Sequence, residues 1–76
     1  MRKYFKSKGT EIVMMTNYRY NGDEPYELIF QTEINSIWAN LVFSFQEFED
    51  RKNFVENLDQ EDVDALYLKI RHDSIT

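Results

Sequence analysis

Cysteine is absent from the sequence, and histidine occurs once, as His72. The absence of cysteine excludes disulfide bonds and thiolate metal sites, and it favours a cytoplasmic protein over a secreted one. A lone histidine leaves little scope for a nucleophile paired with an imidazole base. These two absences predict a protein that is not an enzyme.

Glycine is scarce, with two in 76 residues, and neither lies in a phosphate-binding loop. The acidic run at residues 59–64 lacks the glycine and the ligand spacing of a calcium loop. We therefore expect no cofactor and no bound metal. No apolar run approaches the length of a membrane span, and no segment typical of a signal peptide follows the basic residues at the start.

The chain does contain enough apolar material for one small core. Hydrophobic residues make up 42% of it and aromatic residues 16%, and this aromatic content is too high for a typical disordered chain. A sequence of this length cannot divide its apolar residues between two cores. We predict one α+β domain over residues 10–72, preceded by a basic arm at 1–9 and followed by a tail at 73–76.

Three segments alternate their side chains with the period of a strand. They cover residues 10–20, 26–33 and 37–43. Turn-forming residues separate them, at 21–25 in the first gap and at Asn35-Ser36 in the second. The pattern predicts an antiparallel three-stranded meander.

A helix is predicted to follow the third strand. Ser44 and Glu47 have the spacing of a capping box, in which the two residues satisfy each other's free backbone N–H groups. Apolar residues then recur at helical spacing as far as Leu58. Arg51 falls within this apolar stripe, where we expect its stem to lie along the surface. The prediction is one amphipathic helix packed on one face of the sheet.

Residues 63–72 fit two interpretations. Helical spacing groups Val63, Leu66, Tyr67 and Ile70. Strand alternation instead groups Leu66, Leu68 and Ile70. We predict a strand, because only a strand keeps Leu68 on the apolar side. The element order is then βββαβ, and a right-handed crossover places the last strand beside the first, in the sheet order 3-2-1-4.

One helix can cover only one face of such a sheet. The face expected to be covered carries Ile12, Met14, Leu28, Phe30, Leu41, Leu66, Leu68 and Ile70. The opposite face then exposes an apolar patch of Val13, Met15, Ile29, Trp38 and Val42, joined by Tyr67. A patch of this kind indicates a protein interface. The alternatives are that the arm, with Tyr4 and Phe5, folds across it or that two copies pack face to face.

Charge is unevenly distributed along the chain, whose formal net charge is −5. Residues 1–8 carry four basic residues and no acid, whereas residues 47–64 carry eight acids and two basic residues. An acidic chain disfavours direct nucleic-acid binding, which needs clustered Lys and Arg. Apart from a purely solubilising role, the acids suit a protein partner that is itself basic or nucleic-acid-binding. The acids expected to contact it are Glu49, Asp50, Glu56, Asp59, Glu61 and Asp62.

Two functions are consistent with these sequence patterns. The first is a small acidic non-enzymatic binding protein, of the type made by phages and mobile elements, that inhibits a nucleic-acid-handling protein such as a nuclease or a defence complex. The second is a small structural or regulatory subunit that forms homodimers or docks through the exposed apolar face. Salt-sensitive binding favours the first function, and salt-insensitive self-association favours the second.

Overall fold

Four strands followed by two helices make up the fold. The computed structural model describes residues 2–75, with side chains described as far as residue 73. The elements are β1 (Arg2–Ser7), β2 (Thr10–Tyr18), β3 (Tyr26–Ile34), β4 (Ile37–Phe45), α1 (Phe48–Glu56) and α2 (Gln60–Ile75). The strands form one antiparallel sheet in the order β1-β2-β3-β4. The α+β class and the meander from β2 to β4 are confirmed, whereas the element order is ββββαα in place of βββαβ.

Two tight turns build the sheet from two hairpins. Lys8 and Gly9 connect β1 to β2, and Asn35 and Ser36 connect β3 to β4. All four residues have positive φ, between 50° and 81°, as two-residue type I′ turns require. A longer loop at residues 19–25 joins the two hairpins.

The N-terminal basic segment, predicted as an arm over residues 1–9, supplies the edge strand β1. Its residues pair with β2 from Arg2 opposite Met15 to Ser7 opposite Thr10. A two-residue turn brings the two strands together at little cost in loop-closure entropy. β1 therefore occupies the place beside β2 that the order 3-2-1-4 gave to residues 63–72, and that order was wrong. Met1 lies outside the described residues.

Residues 63–72 lie within α2, so the strand predicted there was wrong. The helical set is buried, with at most 9% of each residue exposed: Val63, Leu66, Tyr67 and Ile70. Leu68 is 52% exposed, because it lies away from this stripe. Burying four large side chains outweighs exposing one.

Helix α2 also extends past the predicted domain boundary at residue 72. It includes residues 73–75 of the predicted tail, while Thr76 lies outside the described residues. Over residues 2–75, neither helix has the length and apolar character needed to cross a membrane.

Helix α1 begins at Phe48, later than the sequence predicted. Ser44 continues β4 instead and lies opposite Glu27 in the β3–β4 ladder. Glu47 is the N-cap residue, but it makes no side-chain capping hydrogen bond. The capping box predicted for Ser44 and Glu47 was wrong, because strand pairing fixes the backbone of the serine in an extended conformation.

The core lies between the sheet and the two helices. Ile12, Met14, Leu28 and Phe30 are completely buried on the covered face, and Leu41 packs against them half-buried. The helices contribute Val55, Val63, Leu66, Tyr67 and Ile70. The predicted core is therefore confirmed with the exception of Leu68.

Arg51 fixes α1 to the sheet. Its guanidinium donates hydrogen bonds to the carbonyls of Asn17 at 3.1 Å and Glu27 at 3.2 Å. The same group lies over the rings of Tyr26 and Phe48, 5.3 and 5.4 Å from their centroids. Arg51 therefore does more than extend its stem along an apolar surface, because it holds the helix to the ends of β2 and β3.

Candidate functional site

The open face is the face of the sheet opposite the helices. Alternate residues of all four strands form it. Its central row runs from Met15 to Ile29 to Val42, which are cross-strand neighbours. Tyr4 lies opposite Val13 in the next row. Strand pairing therefore gathers into one patch apolar residues that are far apart in the sequence.

The apolar patch of the open face is substantially exposed. Trp38 is 57% exposed, Tyr4 56% and Val42 49%, while Val13, Met15 and Ile29 are half-buried. The structure thus places Trp38 and its predicted neighbours on the side away from the helices, as expected. Tyr67 is the exception, because it is a core residue of α2 and is 8% exposed.

The N-terminal segment does not fold across this patch. β1 lies in the plane of the sheet, so Phe5 packs against the core on the covered side and Tyr4 enlarges the apolar area on the open side. The structure therefore rules out the arm as the cover for this face.

Charged side chains border the patch. Arg2 donates to the sulfur of Met15 at 3.7 Å, and Lys6 lies opposite Glu11. Glu33 lies opposite Trp38 at the turn end of the β3–β4 hairpin. An apolar centre inside a polar rim is the usual composition of a protein–protein interface.

The acids predicted to bind a partner lie on the helical side of the molecule, and all six are exposed. Asp50 and Asp62 line one groove of about 540 Å³ between the helices, which Lys69 also lines. Glu56 lines a different groove, beside β1 and β2, and lies 4.0 Å from Lys52. The structure therefore brings Asp50 and Asp62 to one groove and distributes the others around the helical layer.

Two of these acids also stabilise the fold. The Asp62 N–H donates to Asp59 Oδ1 at 2.8 Å, and the Asp59 N–H donates to Asp62 Oδ2 at 3.2 Å. This reciprocal pair is a capping box at the start of α2, with aspartate in both positions. The sequence predicted a capping box at Ser44 and Glu47 instead, and these carboxylates were expected to be either solubilising or partner-binding.

Asp64, which was not in the predicted set, connects α2 to β1. The buried Ser7 hydroxyl donates to Asp64 Oδ1 at 2.7 Å, and the Gln60 amide donates to the same oxygen at 3.0 Å. The hydrogen bond from Ser7 and then that from Gln60 lower the pKa of Asp64 below its ordinary value of 3.8. The Gln60 amide also donates to the Lys6 carbonyl at 2.7 Å. The edge strand β1 is thus held by α2.

A row of aromatic rings at the opposite end of β2 was also missed. Tyr20, Tyr18, Tyr26 and Phe48 contact one another edge to face, with centroids 5.1 to 5.9 Å apart. Tyr20 is 88% exposed. The spacing of Tyr18 and Tyr20 was the available signal, but the contact between Tyr26 and Phe48 depends on α1, whose position the sequence alone does not give.

Within residues 2–75, no group of three or more His, Cys, Asp or Glu side chains is placed to hold a metal ion. Comparison with known protein families, with curated protein sequences and with solved structures gave no match. The candidate site therefore rests on geometry, and the open face is its best-defined part.

Proposed function

We propose that the chain is a non-enzymatic protein-binding module and that the open face of its sheet contacts the partner. The observation that supports this most directly is the exposure of Tyr4, Trp38 and Val42 on the same face of the sheet. Burial of apolar surface against a partner contributes roughly 25 cal/mol per Å². Aromatic side chains supply much of that area in protein interfaces.

The rim of the open face indicates the chemistry of the partner surface. Arg2 and Lys6 lie along the β1 side, whereas Glu11 and Glu33 lie toward the hairpin turns. A complementary protein surface is apolar at its centre, acidic opposite β1 and basic opposite the two glutamates. This arrangement sets the orientation of the partner as well as its composition.

Site-specific photocross-linking tests the proposal in cells that produce the chain. A benzoylphenylalanine at Tyr4 keeps an aromatic ring on the open face, far from the β4 edge of the sheet. The same probe at Tyr20 is the matched control, since that ring is more exposed but lies in the loop at 19–25. We expect a cross-linked protein from position 4 and none from position 20. The reverse result would contradict the proposal.

The cross-linked protein is then purified, and its affinity is measured directly. Tyr4→Lys should weaken binding by about 10- to 30-fold, as expected when an exposed aromatic contact is replaced by a charged side chain. Tyr20→Lys introduces the same side chain at an exposed site outside the open face and should have little effect. Equal losses for the two variants would indicate a contact that does not involve the open face.

A second candidate function is inhibition of a basic, nucleic-acid-handling protein by the acidic helical side. The observation that favours it is the exposure of all six predicted acids, with Asp50 and Asp62 at one groove. Like charges gathered on one side raise the association rate with a basic partner, and salt weakens the effect as the Debye length falls to about 8 Å.

Charge reversal separates the two candidates. Replacing Glu49, Glu56 and Glu61 with Lys should slow association strongly at low salt if the acidic side is the contact. Replacing Asp23 and Glu24 with Lys is the control, compared per reversed charge, because both acids are exposed in the loop at residues 19–25 and lie outside the helical layer and the open face. Association kinetics that are the same in both variants would remove the acidic-side candidate.

A further inference from the structure

The outer edge of β4 lies in the longest segment of this acidic chain that has no charged side chain. Residues 34–46, which include all of β4, contain no Asp, Glu, Lys, Arg or His. An exposed strand edge is a template for pairing, and proteins that remain monomeric usually protect such edges with charge, proline or a bulge. The charge and proline devices are absent from β4.

The backbone groups of this edge that point outward can be assigned from the turn. In a two-residue hairpin the flanking residues, Ile34 and Ile37, are hydrogen-bonded to each other. Hydrogen-bonded and non-bonded pairs then alternate along the ladder. The residues directed away from β3 are therefore Trp38, Asn40, Val42 and Ser44. Apart from the ladder with β3, no hydrogen bond within residues 2–75 involves a backbone group of β4.

The other edge of the sheet, at β1, follows the same alternation. There the turn at Lys8-Gly9 makes Ser7 and Thr10 the bonded pair, so the carbonyl of Lys6 should point outward. It does, because the Gln60 side chain of α2 donates to it at 2.7 Å. The rule that assigns the free groups of β4 thus holds in this sheet.

We propose that β4 pairs antiparallel with β4 of a second copy, so that two sheets join edge to edge into one of eight strands. A two-fold axis at Leu41 gives full overlap of the nine-residue strands and about eight new backbone hydrogen bonds. No like charges meet along this edge, although each copy carries −5. The second copy is therefore a better occupant than a charged peptide.

Side chains on both sides of β4 match in this register. On the helix side, Ile37 lies opposite Phe45 of the second copy, and Leu41 lies opposite its own counterpart. On the open face, Trp38 lies diagonally opposite Val42 of the second copy, and the indole ring is large enough to contact that valine. Pairing thus accounts for the 70% exposure of Ile37, which points away from the open face. It also leaves the open face accessible, so this proposal and the proposed function can fail independently.

Pairing at β4 closes the assembly at two copies. The remaining edge is β1, which carries Arg2, Lys3 and Lys6 and has one outward carbonyl occupied by Gln60. Repulsion between cations disfavours addition of further copies there. The β4 contact is isologous, so it forms a dimer and not an open fibre.

Two variants at Asn40 test the proposal. Asn40 is exposed and its N–H points outward, so Asn40→Pro removes an edge donor without removing a bond to β3. Asn40→Thr keeps the donor and is the control. Sedimentation at chain concentrations up to about 1 mM should show a particle of twice the 9.2 kDa chain mass for the parent chain and Asn40→Thr. For Asn40→Pro the dissociation constant of the dimer should rise by about tenfold or more, since a two-fold dimer loses the bond at two equivalent positions.

Amide hydrogen exchange in the unmodified chain provides a second test that does not depend on how a variant folds. The N–H groups of Trp38, Asn40, Val42 and Ser44 should become protected as the chain concentration rises. Those of Ala39, Leu41 and Phe43, already bonded to β3, should change less. A chain that stays monomeric overturns the proposal. A dimer with unprotected edge amides, as face-to-face packing would give, or one unaffected by Asn40→Pro, overturns it as well.

Discussion

The two hairpins of the sheet are alike in construction and different at their outer strands. Each is closed by a two-residue turn with positive φ, and each directs alternate side chains into one shared core. β1 is cationic and is bound by Gln60 and Asp64 of α2, whereas β4 is uncharged and its outward backbone groups face solvent. The difference shows that an edge strand can be protected from pairing or left available for it within a single sheet.

The largest effect should come from the core that both hairpins share. Phe30 of β3 is completely buried and lies between Met14 and Leu41. Phe30→Ala should lower the free energy of unfolding by about 3 to 5 kcal/mol, in urea titrations followed by far-UV circular dichroism and by Trp38 fluorescence. The two signals should change together. Separate transitions would show that the hairpins do not share one core, and Ile29→Ala, at a half-buried site, should cost less.

Substitutions in the two turns should change stability by smaller amounts and in opposite directions. Gly9 has φ +81° and nothing within 4 Å of an added Cβ, so Gly9→Ala introduces backbone strain alone and should cost about 1 to 2 kcal/mol. Ser36, at φ 64°, already carries that strain, so Ser36→Gly should stabilise the chain by about 0.5 to 1 kcal/mol. Urea denaturation measures both changes. If both variants changed the free energy of unfolding in the same direction, the two turns could not share the same positive-φ geometry.

The starts of the two helices provide a third comparison. Asp59→Ala removes the capping acceptor of α2 and should cost about 1 kcal/mol, while Asp59→Asn keeps an acceptor and should cost less. Ser44→Ala should stay within about 0.5 kcal/mol of the parent chain, because Ser44 is exposed within β4 and caps no helix. If Ser44→Ala instead lowered the free energy of unfolding strongly, in thermal or urea denaturation, Ser44 would have to cap a helix, contrary to the structure.

These helix starts also show what sequence patterns can and cannot predict. Alternation located β2, β3 and β4 and placed Trp38 on the correct face, because a period of two depends on the local chain alone. A capping motif is weaker, since the same residues also fit a strand. Ser44 has Glu27 opposite it in the ladder, and no local signal reports that pairing.

The errors at the two ends of the chain have a common cause. β1 mixes Arg2, Lys3 and Lys6 among Tyr4 and Phe5, so it lacks a clean alternation, although Lys8-Gly9 was a turn signal. Residues 63–72 have both periods, and the choice between them depended on Leu68. Once β1 occupies the place beside β2, the last segment has no free position there and its helical stripe packs on the core. Competition between distant segments decided both assignments.

The candidate site divides in the same way. The open-face patch could be predicted because it depends on alternation, which also explains why Tyr67, assigned through the wrong element, is absent from it. The capping role of Asp59 and Asp62 and the link from Asp64 to Ser7 could not be predicted, because both require the position of α2. The six acids of the predicted set were chosen from the polar side of a helix and the acidic segment after it, and that signal does not report hydrogen bonds within the fold.

The smallest effect concerns the link between β1 and α2, and it depends on pH. Hydrogen bonds from Ser7 and Gln60 lower the pKa of Asp64 in the folded chain below 3.8. A carboxylate with a lowered folded pKa stabilises the fold above its unfolded pKa, and this contribution is lost as the pH falls through the folded value. The advantage of the parent chain over Asp64→Asn should therefore be constant well above pH 3.8 and should shrink as the pH falls below 3.8 toward the lower pKa of the folded chain.

Hydrogen exchange locates this loss in the sheet. Because Asp64 contacts Ser7 and shares Gln60 with the Lys6 carbonyl, acidification should lower the protection of the β1–β2 ladder amides more than that of the β3–β4 ladder amides. Protection here means the exchange rate relative to the intrinsic rate of an unfolded chain at the same pH. Asp23→Asn, in the exposed loop at residues 19–25, is the control and should follow the parent chain at every pH. If acid instead loosened both hairpins equally, the carboxylate would not be what holds β1 in place, and cationic side chains alone would distinguish the protected edge from the one at β4.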